Sequence, residues 1–287
     1  MQKYWTDTEK KAEETTEGRS TAKETENLRG RARRKSPEEM SVKTATKREG
    51  DPMERMSEEL PEEASGKVTD AASSSADAGV STLAHGLRLV HIIGQIEGHT
   101  NAPDNAKTTK YEHLLPLLAS LEESDDVDGV LILLNTVGGD VEAGLAMAEM
   151  IAGMTKPTAT LVLGGGHSIG IPLAVSGRIN MIAPSASMTV HPVRMSGTMI
   201  AAPQTYRYFD KLQESIVRFV AAHSQIRAET FRELMLRTDE MANDVGSVLY
   251  GEDAVALGLM QQVGTLKDAL AALYWAIDED KKQRNTN

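Results

Sequence analysis

The sequence predicts an α/β fold with a mainly parallel sheet and one long amphipathic helix, on three observations. Four apolar runs rich in branched side chains, Leu87–Ile96, Val127–Asn135, Thr158–Leu163 and Ile179–His191, have the composition of buried strands. Helical patterns separate them, and strands alternating with helices at this spacing must cross back over the sheet, which makes neighbouring strands parallel. Between Pro203 and His223, Tyr206, Phe209, Leu212, Ile216, Phe219 and Val220 recur at intervals of three and four, the signature of one helix face.

Taken from the N-terminus, residues 1–80 stand apart. They hold five Leu or Val and no Ile or Phe, against 15 Lys or Arg and 18 Asp or Glu. So little apolar surface cannot offset the roughly 1–2 kcal/mol per residue that ordering a backbone costs. The expectation is a disordered charged tail over 1–80 and one folded domain over 81–280, joined through the small-residue stretch Ala72–Gly79. After the first strand, Leu114, Leu115, Leu117, Leu118 and Leu121 crowd one helical face. The second strand leads into Val141–Met154, rich in the good helix formers Ala, Leu and Met. The third ends in a glycine run from which a helix opens over Ser168–Ser176, and the fourth ends at a histidine. The long helix that follows has two uses open to its apolar face, packing on its own domain or on a neighbouring subunit.

Composition removes several function classes. The 287 residues carry a formal charge of −11, and the predicted domain is itself acidic, so it repels phosphate backbones and nucleic acid is not an expected partner. The basic knot Arg29-Gly-Arg-Ala-Arg-Arg-Lys35 reads first as a solvated charge run, and second as a contact for RNA, an anionic membrane or an acidic partner. There is no cysteine, which excludes disulfides and thiolate metal sites. No apolar run approaches the roughly 18–20 residues of a membrane span, and no signal-peptide core follows Met1. A cytoplasmic protein with no membrane span and no metal or other cofactor is expected.

The chemistry gathers in three short stretches: Asn135-Thr-Val-Gly-Gly-Asp140, Gly164-Gly-Gly-His-Ser-Ile-Gly170 and Thr189-Val-His-Pro192. They supply a serine hydroxyl at a strand-to-helix turn, a glycine pair able to aim backbone N–H groups at a developing charge, and an imidazole able to take the hydroxyl proton. A serine attacks a carbonyl only with a base beside it and fixed donors for the oxyanion. The plainer account is a glycine turn whose serine caps a helix. Two features favour chemistry: Gly138-Gly139 directly follows a buried strand, where ligands of open α/β sheets bind, and His191 ends another strand. Gly166-His-Ser-Ile-Gly170 also fits the G-x-S-x-G elbow of α/β-hydrolases, but there the histidine comes last in the chain, whereas His191 follows Ser168 by 23 residues.

These stretches, with Gly94-Gln-Ile-Glu97, Ala222-His-Ser224 and Asp253-Ala-Val-Ala-Leu-Gly-Leu259, resemble the successive signatures of the Clp protease proteolytic subunit, most closely its translocation-enhancing branch. The resemblance covers residues 87–265. It implies a Clp-protease/crotonase-like α/β fold and a serine endopeptidase acting through an acyl-enzyme without a cofactor. It makes Ser168 the nucleophile, His191 the general base, and the backbone N–H groups of Gly139 and Ile169 the oxyanion hole. The orienting carboxylate is Asp244 counting back from Ala254 and Asp239 counting forward from His223; Asp244 is preferred because Asn243-Asp244-Val-Gly246 runs into the apolar Val248-Leu249 strand. His167 is expected to project away as a spectator. The resemblance further implies a homo-oligomeric ring, peptide or unfolded-protein substrates, and, by analogy, an ATPase unfoldase partner. Departures are Val137 where the family has proline, and Pro192-Val-Arg-Met-Ser-Gly197 after the histidine. Rival readings are a crotonase-type acyl-CoA enzyme, a catalytically silent scaffold, and a Ser–Lys peptidase using Lys156 or Lys211.

Overall fold

The computed structural model describes residues 80–195, 201–239 and 245–284. The expected tail, apart from Val80, and the candidate Asp244 therefore lie outside the described residues. In chain order the elements are β1 (Val80–Thr82), β2 (Leu87–Glu97), β3 (Thr108–Lys110), α1 (Tyr111–Glu123), β4 (Gly129–Gly139), α2 (Val141–Ala152), β5 (Thr158–Gly166), α3 (Gly170–Val175), β6 (Ile179–Ile182), β7 (Ser187–Val190), α4 (Ala202–Ala222), α5 (Ala228–Leu236), β8 (Ser247–Tyr250), α6 (Gly251–Ala256), β9 (Gln262–Val263) and α7 (Leu266–Arg284).

The sheet runs β1-β2-β4-β5-β6-β9, parallel throughout except where β1 meets β2. Its strands alternate apolar side chains between two faces. Leu87, Leu131, Ala159 and Leu161 pack under Leu273 and Ile277 of α7, while Val90, Ile132, Leu134 and Val162 join the larger core beneath the other helices. Burial on both faces is why these strands read as continuous apolar runs.

Two boundaries differ from the sequence expectation. Ile179–His191 is not one strand. Pro184 has no N–H for the ladder, and the chain turns there, with Ala186 N–H donating to Ala183 O at 3.0 Å. The halves then take different neighbours: β6 pairs with the first half of β5, and β7 with Gly165 at its far end and with β8. The split directs β7 toward the glycine turn after β5. The helix after that turn begins at Gly170, not Ser168, because Ser168 adopts φ 57°, a left-handed conformation a helix cannot contain.

The long helix divides its stripe. Ile216, Val217, Phe219 and Val220 are buried in the chain's own core, whereas Tyr206 is 72% exposed and Tyr208 also faces out. Among the described residues, no helix is long and apolar enough to cross a membrane.

Candidate active site

Ser168, Ile169, Gly139 and His191 line one cavity of about 130 Å³, whose remaining wall includes Val141, Ile171, Ile216 and Phe231. Ser168 stands on a sharp turn between β5 and α3, held by backbone bonds in several directions. His167 N–H donates to Thr136 O (3.1 Å), Ser168 N–H to Thr189 O (2.9 Å), Gly170 N–H to His167 O (2.8 Å) and Ile171 N–H to Ser168 O (3.0 Å). Among the described residues no backbone carbonyl accepts from Ile169 N–H, although both its neighbours donate. A donor left over at the mouth of a cavity is what an oxyanion needs.

The glycine pair closes on the serine from β4. A Cβ on Gly138 would come within 2.7 Å of Ser168 Cβ and 3.2 Å of its Oγ, so only glycine lets the two segments meet. Thr136 sets the loop: its hydroxyl donates to Gly94 O at 2.6 Å and accepts from Gly138 N–H at 3.0 Å. Asp140 N–H donates across the ladder to Ile96 O at 3.0 Å. Gly139 itself lines the cavity beside Ser168, and no backbone carbonyl among the described residues outside the sheet ladder accepts from its N–H. Asp140 also caps α2, accepting from Ala143 N–H at 2.8 Å.

His191 reaches the cavity from the end of β7. Its Nδ1 lies 2.7 Å from Pro192 O. A carbonyl only accepts, so Nδ1 carries the proton and Nε2 keeps its lone pair, the tautomer a general base requires. Among the described residues, no hydrogen bond joins Ser168 Oγ to His191. Val190 pairs with Ser247, which sets Gly246 opposite His191; a Cβ there would approach His191 Cβ to 2.9 Å. Asp239 is exposed, and its carboxylate faces Arg237 Nε at 4.0 Å.

His167 is not among the residues that line the cavity. Its ring bonds Thr189 Oγ1 through Nδ1 at 2.9 Å, and burial, reinforced by the charge of His191, lowers its pKa from the usual 6.5. Thr136 and Thr189 are the contributors that motif reading passed over. Both lie inside the quoted stretches, but a threonine on a strand is ordinary, and nothing in its identity announces a hydroxyl aimed at a loop.

Lys156 bonds Ser124 O in a separate polar groove of about 680 Å³ that contains no site residue, and Lys211 is exposed on α4. Within that groove Arg178 pairs with Asp280 at 2.8 Å. Among the described residues, no group of three or more His, Asp or Glu is arranged to hold a metal ion.

Residues 86–267 match the model of the Clp protease family. The chain is 50% identical over 195 residues to the translocation-enhancing protein TepA of Halalkalibacterium halodurans, a match covering 68% of this chain and 76% of that one. It is also 26% identical over 165 residues to the ATP-dependent Clp protease proteolytic subunit of Streptococcus gordonii, covering 53% of this chain and 79% of the relative. The matched span holds the whole cavity, from the glycine pair through the serine turn to the histidine strand, and by it the chain belongs to the Clp protease family.

Proposed function

We propose that the chain is a serine endopeptidase, with Ser168 as nucleophile, His191 as general base and Asp244 as the carboxylate that orients it. The observation carrying this reading is that Ser168, His191, Gly139 and Ile169 line one cavity. In the reaction His191 Nε2 takes the hydroxyl proton as Ser168 Oγ adds to the scissile carbonyl. The oxyanion accepts from Gly139 and Ile169 N–H, and the imidazolium then protonates the leaving amine. Water discharges the acyl-enzyme with the same base. Val141, Ile171, Ile216 and Phe231 in the wall favour an apolar substrate side chain beside the cleaved bond.

Activity requires His191 to close on Ser168 Oγ. The exposed first half of α4, with Tyr206 and Tyr208, supports assembly into a homo-oligomeric ring, in which packing of neighbours would bring about that closure; the proposed compartment is the cytoplasm. Unfolded chains or peptides are the proposed substrates, and an ATPase unfoldase the proposed partner, since one relative carries the name of an ATP-dependent subunit.

The test is labelling with a fluorophosphonate probe alongside cleavage of unfolded casein by the assembled protein. Wild type labels and cleaves, and Ser168→Ala does neither. Cleavage that survives Ser168→Ala would discard the assignment, and an unreactive wild type would favour the silent scaffold.

A further inference from the structure

We infer that His167 is a positioning residue: its bond to the Thr189 hydroxyl clamps the serine turn against the strand that leads into the base. The inference rests on Ser168 being the nucleophile.

Ser168 has a Cβ and yet holds φ 57°, a left-handed conformation that L-residues disfavour. Something must hold it there, and Thr189 does so twice. Its carbonyl accepts from Ser168 N–H at 2.9 Å, and its hydroxyl bonds His167 Nδ1 at 2.9 Å. Two consecutive residues of the turn are thus tied to a single residue of β7, one through the main chain and one through a side chain. Thr189 lies in β7, two residues before His191, which directly follows the strand, so the turn is tied to the segment from which the base projects. The clamp therefore sets how far the serine turn stands from the base. The lowering of the His167 pKa, by burial first and then by the charge of His191, agrees with the two residues belonging to one neighbourhood. Room for the ring is provided in β5, because a Cβ on Gly165 would come within 2.6 Å of His167 Nε2.

The ring could be a mere space-filler, and substitutions separate the two roles. Asparagine places a hydrogen-bonding atom where Nδ1 stands; phenylalanine fills the volume without one. Thr189→Val removes the hydroxyl at nearly constant shape. Each variant is assayed as the assembled protein, with its melting temperature measured, for kcat and KM on a fluorogenic peptide and for the rate of fluorophosphonate labelling. The clamp predicts that His167→Phe and Thr189→Val lose about 10- to 100-fold in kcat and in labelling rate with KM unchanged, as small misplacements of reacting groups do. It also predicts that His167→Asn recovers most of the loss. Equal rates for the phenylalanine and asparagine variants, high or low, would overturn it. So would losses in kcat that follow melting temperature across the series. An unreactive wild type fails the serine assignment instead, and that outcome is distinct from the others.

Discussion

The two halves of the site are built differently. Gly138, Gly139, Ser168 and Ile169 belong to main chain stitched into β4, β5 and β7, and their shape is set by hydrogen bonds between backbone groups and two threonine hydroxyls. His191 hangs from a strand end, with its Nδ1–H given to the carbonyl of the next residue. The first half is formed in the single chain. The second has the correct tautomer, but its imidazole is not bonded to the serine. On the proposed mechanism, charge stabilisation would be preorganised by the fold, while proton transfer would depend on movement or on assembly.

If that contrast holds, the largest loss comes from disturbing the rigid half. A Cβ on Gly139 would approach Ile96 O to 2.1 Å at φ +153°, a conformation closed to alanine, so Gly139→Ala must swing the loop and its N–H out of place. The expected drop in kcat is on the order of 10²–10³, the usual cost of one oxyanion donor. Steady-state peptide cleavage measures it, with circular dichroism to confirm the fold. A loss under threefold in a folded variant would mean that the glycine pair is not aimed at the reaction.

Substitution in the second half should be milder. Where a carboxylate alone fixes the histidine tautomer, its loss costs about 10⁴ in kcat. Here Pro192 O already holds Nδ1–H. Asp244→Asn then removes only stabilisation of the imidazolium, and a drop of about 10- to 100-fold is expected, while Asp239→Asn leaves kcat within about twofold because that carboxylate is exposed beside Arg237. Parallel kcat measurements decide between the two residues. The reverse pattern would move the acid to Asp239.

What could be read from the sequence follows the same division. The glycine pair and the serine turn were legible because close approach and positive φ restrict those positions to few residues. The parallel sheet was legible because strands buried on both faces show as unbroken apolar runs. The break at Pro184 was visible in principle, but the apolar residues around it masked the change of partner. Thr136 and Thr189 could not be identified because a hydroxyl's direction depends on the register of strands that meet only in three dimensions. Asp244 and Asp239 stayed ambiguous because counting back from Ala254 and counting forward from His223 arrive at different residues, and spacing alone cannot choose between them.

The smallest expected effect tests whether the two halves touch. His167 lies in the rigid half, yet its pKa is lowered from 6.5, first by burial and then by the charge of His191 in the other half. The unfolded chain protonates this imidazole as pH falls through 6.5, and the folded chain only at lower pH. Between those values the unfolded state holds more protons, so stability declines on acidification; above 6.5 both forms are neutral and the contribution vanishes. Glu122 acts separately. Burial raises its pKa, but bonds from the Thr155 hydroxyl and N–H and from Lys156 N–H outweigh this and hold it below 4.5, so its stabilisation is lost only at lower pH. Urea unfolding of wild type and His167→Asn from pH 8 to pH 5 isolates the histidine. The wild type should lose stability faster than the variant below about pH 6.5. Adding His191→Gln should flatten part of that slope, since a neutral amide cannot repel a protonated His167. Parallel curves for all three proteins would leave the halves electrostatically independent, and the tie between His167 and Thr189 would then carry no charge effect to the base.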